Sequence, residues 1–209
     1  MPQPHTLKIV EIFPSIQGEG LRQGEPTIFI RLAGCNLRCS FCDTKYAWQG
    51  GRRLSVDLVL KRARDIRKRF PSSWVSVTGG EPYFQDLAAL ILGLKKDGLK
   101  VQVETNGTIF QPLAADWITV SPKPNNYACH PRFRRKAREV KLVVTRALTF
   151  ETVKRLRQEF PEAAPLLLQP ETNAPWSRAK SLRLLDHSLR QGLKNVRVSF
   201  QLHKIYNIR

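Results

Sequence analysis

Cysteine is scarce in this chain of 209 residues and unevenly spent: there are four, and three of them, Cys35, Cys39 and Cys42, fall within eight positions, with only Cys129 elsewhere. A disulfide framework spaces its cysteines along the chain, and three thiols so close together cannot all pair with one another. The cluster therefore reads as a metal or iron–sulfur site in a reducing compartment. Long apolar runs are also lacking. None approaches the ~18 residues of a membrane span, and the N-terminal stretch MPQPHTLKIV lacks the charged-then-apolar layout of a secretion signal. A soluble cytoplasmic protein is expected. No internal repeat, low-complexity tract or Gly/Ser linker divides the sequence, so a single domain over 1–209 is expected. At 42% hydrophobic residues a chain of this length buries a core without covalent staples, which excludes disorder as its main state.

Acidic residues are the other shortage, with 17 Asp+Glu against 35 Lys+Arg and a formal net charge of +18. The excess is concentrated in residues 52–69 (RRLSVDLVLKRARDIRKR) and 132–141 (RFRRKAREVK). Within the first run Val56, Val59, Leu60, Ala63 and Ile66 recur at helical spacing, which makes the intervening arginines the solvated face of an amphipathic helix. A summed positive field also attracts acidic partners. Nucleic acid ranks low among them, because aromatics are not interleaved with the basic runs as a stacking platform for single strands requires.

Strand and helix signals alternate along the chain. LKIVEIF (7–13) and TIFIRLAG (27–34) read as strands, followed by a helix over 55–70 capped by Ser55 and bounded by Pro71. WVSVTGG (74–80) is a strand running into glycines. Asp86 is the expected cap of a helix whose Leu87, Leu90, Ile91 and Leu94 form one stripe, stopped at Gly98. KVQVETNG (100–107), WITVSPK (117–123) and EVKLVV (139–144) are strand-like, and Thr149 caps a helix carrying Val153, Leu156 and Phe160. APLLLQP (164–170) is a further strand, Leu182, Leu185 and Leu189 mark a last long helix ending at Gly192, and NVRVSFQLH (195–203) reads as the closing strand. This alternation predicts an α/β fold with a parallel sheet. A complete eight-fold barrel takes about 250 residues, so roughly six strand–helix units imply a partial, open β/α barrel. Five polar signals follow directly on expected strands: Cys35 to Thr44, Thr78 to Pro82, Glu104 to Asn106, Ser121 to Lys123, and Gln169 to Glu171. The carboxyl ends of parallel strands are where α/β folds bind ligands.

AGCNLRCSFCDTKYAW places Cys35, Cys39 and Cys42 as C-x3-C-x2-C, with Phe41 before the last cysteine. A closed zinc site needs four ligands, and no fourth stands nearby; Cys129 and His130 are the remote candidates. Three cysteines on a four-iron cluster leave one iron open to a small molecule. This motif, with the glycine-rich segment Thr78-Gly79-Gly80-Glu81-Pro82, resembles the radical S-adenosylmethionine superfamily. Within it, SIQGEG (15–20), CDTKYAW (42–48) and SFQLHK (199–204) resemble the 7-carboxy-7-deazaguanine synthase family in motif order over nearly the whole chain. The family departs at Tyr83-Phe84, where leucines are expected.

The resemblance implies a [4Fe–4S] cluster held by Cys35, Cys39 and Cys42, whose open iron binds S-adenosylmethionine and whose electron yields a 5′-deoxyadenosyl radical. It implies conversion of 6-carboxy-5,6,7,8-tetrahydropterin to 7-carboxy-7-deazaguanine and ammonia, with Mg²⁺ required and no side chain carrying the radical. Carried over by position, Ile16, Gln17, Gly18, Glu19, Arg31, Thr78 and His203 face the pterin, and Thr44 ligates Mg²⁺. Phe41, Gly79, Gly80, Glu81, Glu104, Ser121, Pro122, Lys123 and Gln169 face S-adenosylmethionine. A homodimer and an acidic flavodoxin or ferredoxin as electron donor are further expectations. On residue type alone, Arg31 is a solvated strand residue, Thr44 a turn residue, Glu19 and Glu81 are surface carboxylates, and Glu104, at a strand end, pairs with a neighbouring lysine. The rival readings are a glycyl-radical-enzyme activase, which lacks the SIQGEG and CDTKYAW context, and a basic zinc protein binding nucleic acid, which leaves Gly79-Gly80 unexplained.

Overall fold

The computed structural model describes residues 5–124 and 126–208; residues 1–4, 125 and 209, among them both ends of the expected 1–209 domain, lie outside the described residues. Two compact units are present. The first comprises the chain up to Ile16, Glu25–Thr105 and Gln111–Trp117, and the second Gln17–Gly24, Asn106–Phe110 and Ile118 onward.

In the first unit the strands are β1 (Thr6–Ile16), β2 (Pro26–Leu32), β3 (Arg52–Ser55), β4 (Trp74–Gly79) and β5 (Lys100–Thr105), in the order β3-β1-β2-β4-β5. β1 runs antiparallel to β2 and β3, while β2, β4 and β5 are parallel. Ile28, Ile30, Val75, Val77, Val101 and Val103 are fully buried, as period-2 alternation requires of a sheet face covered by helices. The covering helices are α1 (Val56–Arg69) and α2 (Ala88–Lys96). Ser55 caps α1 by accepting a hydrogen bond from Leu58 N, as expected. α2 starts later than expected: Leu87 occupies its cap position, while the Asp86 carboxylate accepts from Ala88 N at 3.0 Å. β3 was hidden in the basic run. Its Arg52 and Arg53 pair with Ile9 and Lys8 as a short edge strand, and charged side chains there discourage pairing with another chain.

In the second unit β6 (Trp117–Val120), β7 (Glu139–Val144), β8 (Leu166–Pro170) and β9 (Val196–Val198) are all parallel and lie in that order. α3 (Phe150–Glu159) follows β7, capped by Thr149, and α4 (Pro175–Arg190) follows β8. Two expectations fail here. The closing strand 195–203 ends at Val198, and Leu202–Ile205 form a short helix, α5, so His203 lies on a helix rather than a strand. The leucine stripe of α4 is the wrong face: Leu182 and Leu189 are 61% and 62% exposed, whereas Ser177, Ser181, Leu184 and Ser188 are buried. Serines suit that face because they are small and their hydroxyls are satisfied internally. Ser181 Oγ donates to Ser177 O, Ser188 Oγ to Leu184 O, and Ser177 Oγ to Val144 O of β7 at 2.6 Å, so α4 settles closely on its sheet.

The architecture is α/β and parallel-rich, and β3 and β9 each end a sheet with one strand neighbour, so the expected open sheet is present. Within the units, α-helices fill four of the five parallel crossovers; among the described residues the β6–β7 connection carries none.

The C-terminus of α3 depends on one side chain. Arg157, 7% exposed, donates to Phe160 O at 3.0 Å, Pro161 O at 2.5 Å and Ala164 O at 2.8 Å, tying the last turn of the helix to the carbonyls at and just beyond its end. Arg157→Ala is expected to cost about 2–4 kcal/mol by urea unfolding, with Arg157→Lys intermediate because an ammonium lacks the planar fork.

Candidate active site

β2 ends at Leu32 and the chain passes through Ala33-Gly34 into the cysteine loop. β4 lies beside it in parallel register, with Leu32 opposite Gly79. Gly79 has φ +130°, and a Cβ there would lie 2.2 Å from Leu32 O, so no other residue fits. Gly80 N donates to Leu32 O at 3.1 Å and Glu81 N to Gly34 O at 2.8 Å. A Cβ on Gly80 would meet Gly34 O at 2.0 Å and Cys35 Cβ at 3.0 Å. The two glycines are thus what allow the turn after β4 to lie against the start of the cysteine loop. Glu81 is fully buried, its carboxylate accepting from Tyr83 N at 3.0 Å and Thr105 Oγ1 at 2.7 Å. Its side chain shapes the turn, and its backbone is bonded on both sides, N to Gly34 O and O from Phe84 N at 3.0 Å. Tyr83 is buried behind it and Phe84 is exposed with its ring over Gly34, so the departure at these two positions is accommodated beside the turn.

The thiols of Cys35, Cys39 and Cys42 are half-buried and reduced, as is the side chain of Phe41 half-buried. Cys42 N donates to Cys39 O at 3.0 Å, Thr44 N to Cys42 Sγ at 3.4 Å, and Gly34 N to Ala47 O at 2.8 Å, which folds the loop back on its own start. Thr44 Oγ1 lies 3.1 Å from Asp43 Oδ1, placing two hard oxygens side by side just past the last cysteine. Three soft sulfur ligands, with backbone N–H groups turned on the loop itself, are the donor set of an iron–sulfur cluster, and the side-chain-free Gly79-Gly80 turn lies against the start of the loop.

Across β1, β2 and β4 a polar row runs beside this loop: Glu11 is opposite Arg31, and Arg31 opposite Thr78. Arg31 is not the solvated strand residue its type suggests. Its side chain is 17% exposed, Nε donates to Glu11 Oε1 at 2.7 Å, and the guanidinium lies over the rings of Phe13 and Tyr46. Tyr46 OH donates to the same Glu11 oxygen. On β5, Glu104 accepts from Ser76 Oγ at 3.2 Å. The first unit therefore gathers Cys35, Phe41, Cys39, Cys42, Thr44, Arg31, Thr78, Gly79, Gly80, Glu81 and Glu104 at the carboxyl ends of its parallel strands, while Ile16 ends β1 half-buried.

The second unit gathers the remainder. Ser121 Oγ donates to Lys141 O at 2.7 Å and accepts from Lys123 Nζ at 2.6 Å, and Pro122 is buried between them. Gln169 is buried, 3.5 Å from Ser199 Oγ. Gln17, Gly18 and Glu19 lie on a loop closed by Gly24 N donating to Gln17 O. Leu202 N donates to Gly18 O, and a Cβ on Gly18 would strike the His203 ring. Glu19 pairs with Lys141 and accepts from Gln201 Nε2 at 2.8 Å, so it is no surface carboxylate.

Sequence reasoning missed Glu11, Tyr46, Glu139 and Lys141. Lys141 falls in the basic run 132–141 but is 7% exposed, and Glu139 is fully buried. The available signal was their i, i+2 opposition of charge within an otherwise apolar strand. Cys129 packs against Gly107, and burial pushes its thiol up to about 12, so it is a poor nucleophile at neutral pH.

Gly79→Ala is expected to lose more than about 2 kcal/mol of stability and most of the capacity to take up iron, because both φ and the Leu32 carbonyl forbid the methyl. Gly50→Ala, where the site of the Cβ is open, should cost about 1 kcal/mol and leave iron uptake intact.

Comparison with known proteins agrees with this geometry. The family model of the radical SAM superfamily matches residues 29–196. The 7-carboxy-7-deazaguanine synthase of Aquifex aeolicus is 35% identical over 208 residues, covering 95% of this chain and 93% of the relative. That of Escherichia coli K12 is 32% identical, covering 96% and 98%. The crystal structure of QueE from Escherichia coli superposes with a TM-score of 0.80 at 29% identity, covering 95% of both chains. The glycyl-radical-activase and zinc-protein readings are not favoured. With a [4Fe–4S] cluster and S-adenosylmethionine as its cofactors, the chain belongs to the 7-carboxy-7-deazaguanine synthase family of radical SAM enzymes.

Proposed function

We propose that this chain, as a carbon–nitrogen lyase, converts 6-carboxy-5,6,7,8-tetrahydropterin to 7-carboxy-7-deazaguanine and ammonia, a step toward queuosine and related deazapurines. The observation that carries the reading is the three-thiol loop seated on Gly79-Gly80 beside the Arg31–Thr78 row, in a chain alike over nearly its whole length to synthases of that name. As the family model spans residues of both units, we read 1–209 as one functional domain.

Cys35, Cys39 and Cys42 would hold the cluster. Bound there, cluster and S-adenosylmethionine supply one-electron chemistry that starts with hydrogen abstraction from substrate. The chain's own residues bind and orient. Gly79, Gly80 and the Glu81 backbone, with Phe41, Glu104, Ser121, Pro122, Lys123 and Gln169, are the proposed contacts of S-adenosylmethionine. Arg31, fixed by Glu11 and Tyr46, meets the pterin carboxylate with a guanidinium that cannot lose its charge. Ile16, Gln17, Gly18, Glu19, Thr78 and His203 contact the rest of the pterin. Thr44 Oγ1 offers Mg²⁺ one hard oxygen; the ion takes few protein oxygens and fills its shell with substrate and water.

The charge is unequally divided. The second unit holds 20 Lys+Arg against 7 Asp+Glu, the first 15 against 10. This imbalance supports an acidic flavodoxin or ferredoxin as donor, steered by the positive field. Exposed Leu182 and Leu189, seven residues apart on α4, support a homodimer. Among the described residues no helix is long and apolar enough to cross a membrane, and half-buried thiols for a cluster suit a reducing cytoplasm.

The test is anaerobic turnover with 6-carboxytetrahydropterin, S-adenosylmethionine, Mg²⁺ and reductant. The deazaguanine product should form, and Thr44→Val should slow it on the order of a hundredfold and blunt its Mg²⁺ response while iron content stays at wild type. Absence of product, with the cofactors bound, would refute the substrate assignment. Reduction by an acidic donor protein should slow steeply between low and high salt, whereas turnover with dithionite should change little; equal salt responses would remove the steering role.

A further inference from the structure

Two buried charges on β7 are not among the proposed contacts of substrate or cofactor. Alternate strand residues share a face: Val140, Leu142 and Val144 are fully buried on one, and Glu139 and Lys141 lie on the other. Glu139, 0% exposed, accepts from Thr119 Oγ1 on the neighbouring β6 at 2.7 Å and from Leu21 N at 2.7 Å. A Cβ on Gly20, whose φ is +74°, would lie 2.3 Å from the Glu139 carboxylate, so that carboxylate rests directly on the backbone of the Gln17–Gly24 loop. Two residues along, Lys141 reaches the same loop and pairs with Glu19, whose other oxygen takes Gln201 Nε2. Burying two charges carries a desolvation penalty that apolar residues of the same size would avoid. What they provide is a fixed loop: a charge-assisted bond to a backbone N–H and an ion pair leave Gln17–Gly24 one register against β7.

We propose that Glu139 and Lys141 are positioning residues: from β7 they hold the Gln17–Gly24 loop in the conformation that receives the pterin. The inference rests on the reading of Gln17, Gly18 and Glu19 as substrate contacts. Neither residue touches substrate. A loop preset by the strand spares the substrate the entropy of ordering it, so loosening it weakens pterin binding more than it slows the bound complex.

Glu139→Met removes both acceptors at similar volume, whereas Glu139→Gln can accept from Leu21 N with its oxygen and donate to Thr119 Oγ1 with its nitrogen. In the cofactor-free protein, amide hydrogen exchange over residues 19–22 should quicken on the order of tenfold in Glu139→Met and stay within about threefold of wild type in Glu139→Gln. In the reconstituted enzyme, Glu139→Met should raise KM for the pterin on the order of tenfold with kcat and bound iron little changed, and Glu139→Gln should restore it. Lys141→Met, which leaves Glu139 with Thr119 and Leu21 in place, should move exchange and KM the same way, and serves if Glu139→Met fails to fold. Unchanged exchange in a folded variant, or quickened exchange with wild-type KM, overturns the proposal. Gln17→Ala separates the two failures. If it raises KM where the β7 variants do not, the anchoring is wrong and the substrate reading stands; if it leaves KM unchanged, the loop is not a pterin site.

Discussion

The first unit turns on a contact between two backbones. β4 approaches β2 so closely at its end that Gly79 lies against the Leu32 carbonyl and Gly80 against that of Gly34. Side chains at either position would push the turn away, and the hydrogen bonds from Gly80 N and Glu81 N would be lost with them. Those bonds fix where the cysteine loop starts. The loop then closes through Gly34 N to Ala47 O, so the three thiols are offered from a short segment whose both ends are tied. Glu81 completes the arrangement from beneath by tying the turn to Thr105 of β5. Cys35, Cys39 and Cys42 would hold the cluster there, beside the glycine turn, and the cluster would supply an iron for a chelating amino acid.

Much of this was legible because the chemistry is written in local order. Three cysteines in eight residues, or Gly-Gly after a strand, are signals that survive without any tertiary context. The helix caps Ser55 and Thr149 were legible for the same reason. The misses share a cause as well. α4 presents serines to its sheet and leucines outward because hydroxyls that bond to carbonyls one turn back are compatible with close packing, and hydrophobic spacing cannot see that. β9 ends at Val198 because the chain leaves β8 after Ser199 N bonds to Leu168 O, and Leu202 N turns to Gly18 O, a partner about 180 residues away in sequence. Arg31, Glu19 and Lys141 looked like surface charges, and each is buried against a partner whose identity depends on strand register.

Charge therefore has two distinct uses here. On the surface it is abundant, in excess over acid in the second unit, and suited to steering an acidic macromolecule. Inside, it is rare and committed: Glu11 with Arg31, Glu19 with Lys141, and Arg157 on three carbonyls. The buried set fixes loops and helix ends that apolar packing would leave with several near-equal arrangements, and substrate-facing segments are where such fixing matters most.

The most direct measurement is anaerobic reconstitution with iron and sulfide, followed by electron paramagnetic resonance of the reduced protein with and without S-adenosylmethionine, for the native chain and for Cys129→Ala. The account predicts a brown protein in both, close to four irons per chain, with a reduced-cluster signal that changes when S-adenosylmethionine binds. A colourless protein that retains zinc, iron that is lost with Cys129 as readily as with Cys39, or a cluster signal indifferent to S-adenosylmethionine would contradict it.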